Sequence, residues 1–180
     1  MSHSYPMKTL SRFTLVLLGL AAPLALCAAE VAKAPARTEV VFEQPEKFTD
    51  VKDSDFGTDK ARDAILERIR EYIVERADKA LPAGQKLVIT FTDIDLAGEY
   101  EPWRGPQFSD VRIVKSIYPP RLKFSYKITD AAGKTVKEGN EDLRDLAFEM
   151  RLTADRQDTL RYEKDILRDW IGTVTRAPKV

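Results

Sequence analysis

The feature that most constrains the fold is a strict two-residue alternation near the middle of the chain. In Arg121–Thr129, Leu122, Phe124, Tyr126 and Ile128 fall on one side, and Arg121, Lys123, Ser125 and Lys127 fall on the other. Successive strand side chains point to opposite faces, so this pattern predicts a half-buried strand of an antiparallel sheet. Asp130-Ala131-Ala132-Gly133 supplies a turn, and Lys134–Glu138 reads as the return strand. Once such a hairpin exists, the rest of the chain must cover its apolar face.

The covering segments can be read from their periods. Thr58 suits a helix N-cap, and Asp59 suits the positive end of the helix dipole. Ala61, Ala64, Ile65, Ile69, Tyr72, Ile73 and Ala77 then recur every three or four residues. This predicts a long amphipathic helix that ends before Pro82. Leu143, Leu146, Ala147 and Met150 read as one face of a short helix. Leu160, Ile166, Leu167, Trp170, Ile171 and Val174 read as the stripe of a second helix. Further strands are expected over 38–42, 86–96 and 111–118. The strand over 86–96 is apolar on both faces at its start and therefore central. Glu43–Gly57 and Ala97–Phe108 read as loops. The fold class that follows is α+β: an antiparallel sheet of about four to five strands, with a long helix and C-terminal helices packed on one face.

The first 29 residues read as an export signal. Lys8 and Arg12 precede an apolar run, Phe13–Cys27, and small residues follow it. The run is too short to span a bilayer core of about 30 Å comfortably. Cleavage after Ala29 is the preferred reading, and lipid attachment at Cys27 is disfavoured because Leu26 stands where a small residue is usual. The expected organisation is leader 1–29, flexible lead-in 30–37, one domain 38–175 and tail 176–180, in the periplasm. No transmembrane segment is expected in the mature chain.

That reading restricts the chemistry. The chain has one His, His3, and one Cys, Cys27, and both lie in the leader. A mature chain without them has no Ser-His-Asp triad, no Cys nucleophile, no His-ligated zinc and no disulfide of its own. There is no Gly-rich phosphate loop. Losing Lys8 and Arg12 leaves a small acidic excess, so nothing draws the chain to nucleic acid. No cofactor is expected, and the chain by itself does not report an oligomeric state.

The densest polar cluster is Thr92, Asp93 and Asp95 followed by Glu99, Tyr100, Glu101, Trp103 and Arg104. Asp93 and Asp95 leave one strand face with Cα atoms about 6.6 Å apart. Such a pair can satisfy turn N–H groups or pair with Arg, can bind a hard cation, or can divide acid and base roles in glycoside cleavage. Trp103, between Pro102 and Gly105, is expected at the surface, and Trp170 in the core. Arg121, Lys123 and Lys127, with Arg112 and Lys115 nearby, form either a contact surface for an anionic polymer or an ordinary solvated face. Six members of the cluster, Asp93, Asp95, Glu99, Tyr100, Trp103 and Arg104, are the candidate ligand or partner site. The main reading is a non-catalytic binding or accessory module for an envelope protein or polymer. The alternative is a carboxylate-dependent cation-binding protein or hydrolase using Asp93, Asp95 and Glu99.

Four segments carry a resemblance: VVFEQPEKFTDVKDS (40–54), LPAGQKLVITFTDIDLAGEYEP (81–102), DVRIVKSIYPPRLKFSYKI (110–128) and YEKDILRDWI (162–171). Together they resemble a bacterial envelope family known as domain of unknown function 3016. The resemblance implies export and a single domain. It brings no activity, ligand or catalytic residue.

Overall fold

The computed structural model describes residue 1, residues 36–152 and residues 155–176. The expected leader, most of the lead-in and the end of the tail lie outside the described residues. The described residues from 36 onward belong to one compact unit.

The expected α+β class is found, with one change in strand direction. Strands β1 (Thr38–Phe42), β2 (Lys86–Asp95), β5 (Arg121–Thr129) and β6 (Thr135–Arg144) form one sheet in the order β1-β2-β5-β6. β1 and β2 pair parallel, whereas β2–β5 and β5–β6 pair antiparallel. The physical reason is the connection: helix α1 (Asp59–Ala80) spans 22 residues, about 33 Å. It carries the chain back past the sheet, so β2 starts at the same end as β1. The sheet is therefore mixed, not antiparallel throughout. A second, two-stranded sheet pairs β3 (Glu99–Tyr100) with β4 (Arg112–Ile113). Helix α2 (Arg161–Val174) completes the unit.

Each element has a local cause. Thr58 Oγ1 accepts a hydrogen bond from the Ala61 N–H at 3.1 Å, capping α1. Leu81 leaves the helix in an extended conformation, as the residue before Pro82 must. Asp130 Oδ1 accepts from the N–H groups of Ala132 and Lys134, each at 2.9 Å, and closes the β5–β6 turn.

Buried side chains of both helices and of one sheet face form one core cluster. Leu87, Ile89, Phe91 and Ile94 of β2 are fully buried in it, as are Ile69, Ile73 and Ala77 of α1. Phe42, Phe91, Phe124 and Trp170 meet in succession, two pairs tilted and the last edge-to-face, with ring centroids 5.5, 5.0 and 4.7 Å apart. Trp170 is core, as expected, and its Nε1–H donates to Glu141 Oε1 at 3.2 Å.

Three expectations of local structure fail. The segment 111–118 is not a strand but the two residues of β4 followed by turns. Leu143 lies in β6, and the rest of the expected short helix is a turn with one 3₁₀ step, Phe148–Met150, which leaves Leu146 and Met150 exposed. The return strand of the hairpin runs to Arg144, well past Glu138. Among the described residues, no helix is long and apolar enough to cross a membrane.

Candidate functional site

The candidate residues lie where β2 ends and an appendage, residues 97–118, leaves the sheet. β2 carries a register shift between Phe91 and Asp93. Before it, Leu87, Ile89 and Phe91 face the core; after it, Ile94 does. The bulge at Thr92 therefore changes the phase of the strand. Without it, Asp93 and Asp95 would continue the inward series of 87, 89 and 91. With it, both stand on the outer face opposite Lys123 and Arg121.

The two aspartates then diverge. Asp93 accepts from Thr49 N–H at 2.8 Å and Thr49 Oγ1–H at 3.1 Å, and lies 3.4 Å from Lys123 Nζ. Partial burial works to raise its pKa, but these donors and the lysine outweigh burial and hold it below the usual value. Asp95 is half-buried, and its carboxyl has no hydrogen bond or ion pair among the described residues. Burial first, and then the carboxylates of Asp50, Asp93 and Glu99, push it up to about 6, with Arg112 opposing. Glu99 folds onto the chain, accepting from Tyr100 N–H at 2.9 Å. Among the described residues, no three acidic, Cys or His side chains come together to hold a metal ion.

The appendage is pinned at several points. Arg112 forks onto the buried Asp50 carboxylate at 2.7 and 3.2 Å and also donates to the carbonyls of Gly98 and Lys52, each at 3.0 Å. Its guanidinium sits 4.6 Å from the centre of the buried Tyr100 ring. Gly98 has φ +83°, and a Cβ there would stand 2.9 Å from the Ile113 carbonyl oxygen. Further out, Glu101 is 1% exposed. It accepts from Lys115 Nζ at 2.5 Å, from Tyr118 Oη at 3.1 Å and from Arg104 Nε. The hydrogen bonds from Lys115 and Arg104 hold its carboxyl down at about 2, against the effect of burial. At the root, the fully buried Glu163 of α2 accepts from Ala97 N–H at 2.7 Å, and its second oxygen has no partner among the described residues. Burial pushes its pKa up.

The result is a rigid mount with an apolar rim. Trp103 is 71% exposed, on a 3₁₀ step between Pro102 and Arg104. Val111, Val114 and Ile117 are exposed on the same appendage. Phe56, outside the appendage, is exposed too, and its neighbour Asp55 donates its N–H to the Ser109 carbonyl at 2.9 Å. Of the six candidate residues, Tyr100 and Arg104 are therefore structural, Glu99 is tied locally, and Trp103 is presented.

The basic surface does not survive in the structure. Arg121 forks onto Asp142, Lys123 faces Asp93, and Lys127 lies 3.9 Å from Glu138. Arg112 and Lys115 belong to the appendage and are spent on Asp50 and Glu101. Cross-strand acids thus balance the outer face.

Asp50 and Glu163 have no functional reading in the sequence, and Glu101 stands in the polar cluster without being one of the six candidates. Glu163 had a signal: with Leu160, Leu167, Trp170 and Val174 it falls on a 3-4-3-4 spacing, which places an acid on the apolar stripe of α2.

A family model described as a protein of unknown function (DUF3016) matches residues 36–173. No curated protein and no solved structure matches the chain.

Proposed function

The chain belongs to the DUF3016 family of proteins of unknown function, and on that premise we propose that it is an exported, non-catalytic module. It binds an envelope protein or polymer through the 97–118 appendage. The observation that carries this reading is Trp103, an indole 71% exposed on backbone that two ion-pair clusters hold in place. A side chain mounted in this way loses little freedom on binding, and exposed aromatics on rigid mounts are favoured contact residues. Val111, Val114 and Ile117 extend the contact area.

Two measurements test it. Pull-down from envelope extract with the wild type and Trp103→Ala is expected to lose at least one partner in the variant. Equal recovery of every partner by both proteins removes the appendage from the proposal. Fractionation of the native host with intact-mass measurement is expected to find a periplasmic chain that begins near Glu30. A cytoplasmic species retaining His3 and Cys27 overturns the export reading.

One observation favours a second reading. Asp95 takes up a proton near pH 6 while Asp93 stays ionised, the divided state that acid–base pairs require. A glycan-hydrolysis screen with wild type and Asp95→Asn distinguishes it, since the binding module is inert in both forms.

A further inference from the structure

Glu163 is a carboxyl buried where its ionised form is costly. Oε1 accepts from Ala97 N–H, and Oε2 has no hydrogen-bond partner among the described residues. Two charges on neighbouring segments act on it. Arg112 of β4 favours the carboxylate but is itself forked onto Asp50. Asp158, ahead of α2, disfavours it and is itself held by Arg68 and Lys164. The N–H of Glu163 itself adds a little to the carboxylate's side. None of these gives Oε2 the partner that a charge out of water requires. The position of this group matters as much as its burial. Ala97 is where the chain leaves β2 for the appendage, and its neighbours are tied elsewhere. Leu96 N–H donates to the Asp50 carbonyl at 3.1 Å, and Gly98 N–H to the Tyr118 carbonyl at 3.0 Å. Among the described residues, the Glu163–Ala97 bond is the one hydrogen bond between α2 and residues 97–118. The first turn of α2, which carries Glu163, has no side-chain cap.

We propose that this joint is a proton-operated latch: α2 holds the root of the appendage while the Glu163 carboxyl carries a proton, and lets it go when the carboxyl ionises. The direction follows from linkage. In the docked joint, burial makes the carboxyl hold its proton more tightly than at its ordinary value of 4.5. In the released joint it is hydrated and returns to that value. The docked form therefore dominates in acid. The released form gains up to about tenfold per pH unit above 4.5, until the docked carboxyl has itself ionised. Release is local. Arg112 on Asp50 and Gly98 on Tyr118 do not depend on this proton, so the appendage keeps its shape while its footing on α2 loosens.

The test is amide hydrogen exchange of the isotope-labelled full chain between pH 5 and pH 8, corrected for the intrinsic rate. It is run in Asp95→Asn, so that the neighbouring carboxyl does not contribute. Protection of the Ala97 N–H is expected to fall several-fold per pH unit, and at most about tenfold, while residues 87–91 of β2 keep theirs. Glu163→Gln has the same shape and no proton to lose, and is expected to hold Ala97 protection level across the range. In the parent chain, the carbon-13 shift of the Glu163 carboxyl is expected to titrate above 4.5, and the Ala97 amide shift to follow the same curve. Four results overturn the latch: Ala97 protection that does not change with pH, the same change in Glu163→Gln, an equal fall along β2, or a Glu163 carboxyl that titrates at 4.5 or below. The carboxyl titration decides the matter even where the glutamine variant does not fold. Each readout concerns the joint alone, whether or not Trp103 meets a partner.

Discussion

Asp95 combines half-burial, acidic neighbours and no hydrogen-bond donor. Its pKa rises from 3.8 to about 6 on folding. A carboxyl raised in the fold binds its proton more tightly there than in the unfolded chain. It therefore contributes stability below pH 4, and that contribution is lost as pH rises through about 6. Asp95→Asn keeps the shape and removes the titration. The variant is expected to melt at higher temperature than wild type at pH 7.5, by on the order of 1 kcal/mol after allowing for solvent screening, and to match it at pH 4. Thermal melts at the two pH values check this, and an equal offset at both shows that Asp95 does not titrate as argued. Asp93, two residues away, is held low by Thr49 and Lys123. The same residue type thus has opposite behaviour according to which donors the fold brings to it.

At the scale of elements, two glycines with similar dihedral angles do different work. Gly133, φ +81°, closes the β5–β6 turn in open space, with nothing within 4 Å of an added Cβ. Gly98, φ +83°, passes under β4, where an added Cβ would meet backbone. Gly133→Ala is expected to cost about 1 kcal/mol, the left-handed penalty alone. Gly98→Ala adds a backbone clash and is expected to cost about 2–3 kcal/mol, felt as loosening of β3 against β4. Hydrogen exchange over residues 97–118 reads the difference, and equal protection in both variants refutes it. The bulge at Thr92 acts at the same scale, since one extra residue turns two aspartates out of the core and one isoleucine into it.

Over the whole molecule, the load falls on one core shared by the sheet and both helices. Phe91 lies at its centre, fully buried, with rings from β1 and β5 on either side. Phe91→Ala is expected to cost about 3–5 kcal/mol in urea unfolding, the value for removing a large side chain from a close-packed interior. A loss below about 1 kcal/mol shows that the core collapses around the gap. The described unit has no cysteine, so no disulfide adds to this core.

Much of this architecture was legible in the chain, for local reasons. The cap at Thr58, the stop at Pro82, the α2 stripe, the alternation of β5 and the turn after Asp130 depend on residues within a few positions of one another; the α1 stripe was legible except that Ala64 is exposed and Leu66, outside the expected stripe, is buried. The exposure of Trp103 between Pro102 and Gly105 and the burial of Trp170 on its stripe were legible for the same reason. Asp93, Asp95 and Glu99 could be picked out as a cluster, but their states could not. Those states depend on Thr49, Asp50, Arg112 and Lys123, which come from other segments. Tertiary structure alone decided the parallel β1–β2 pairing, the short β4, the neutralised outer face and the anchoring of the appendage by Glu101 and Arg112. Hydrophobic period is a property of neighbours along the chain. Strand direction, ion-pair partners and carboxyl titration are properties of neighbours in space, and only the closed fold brings those together.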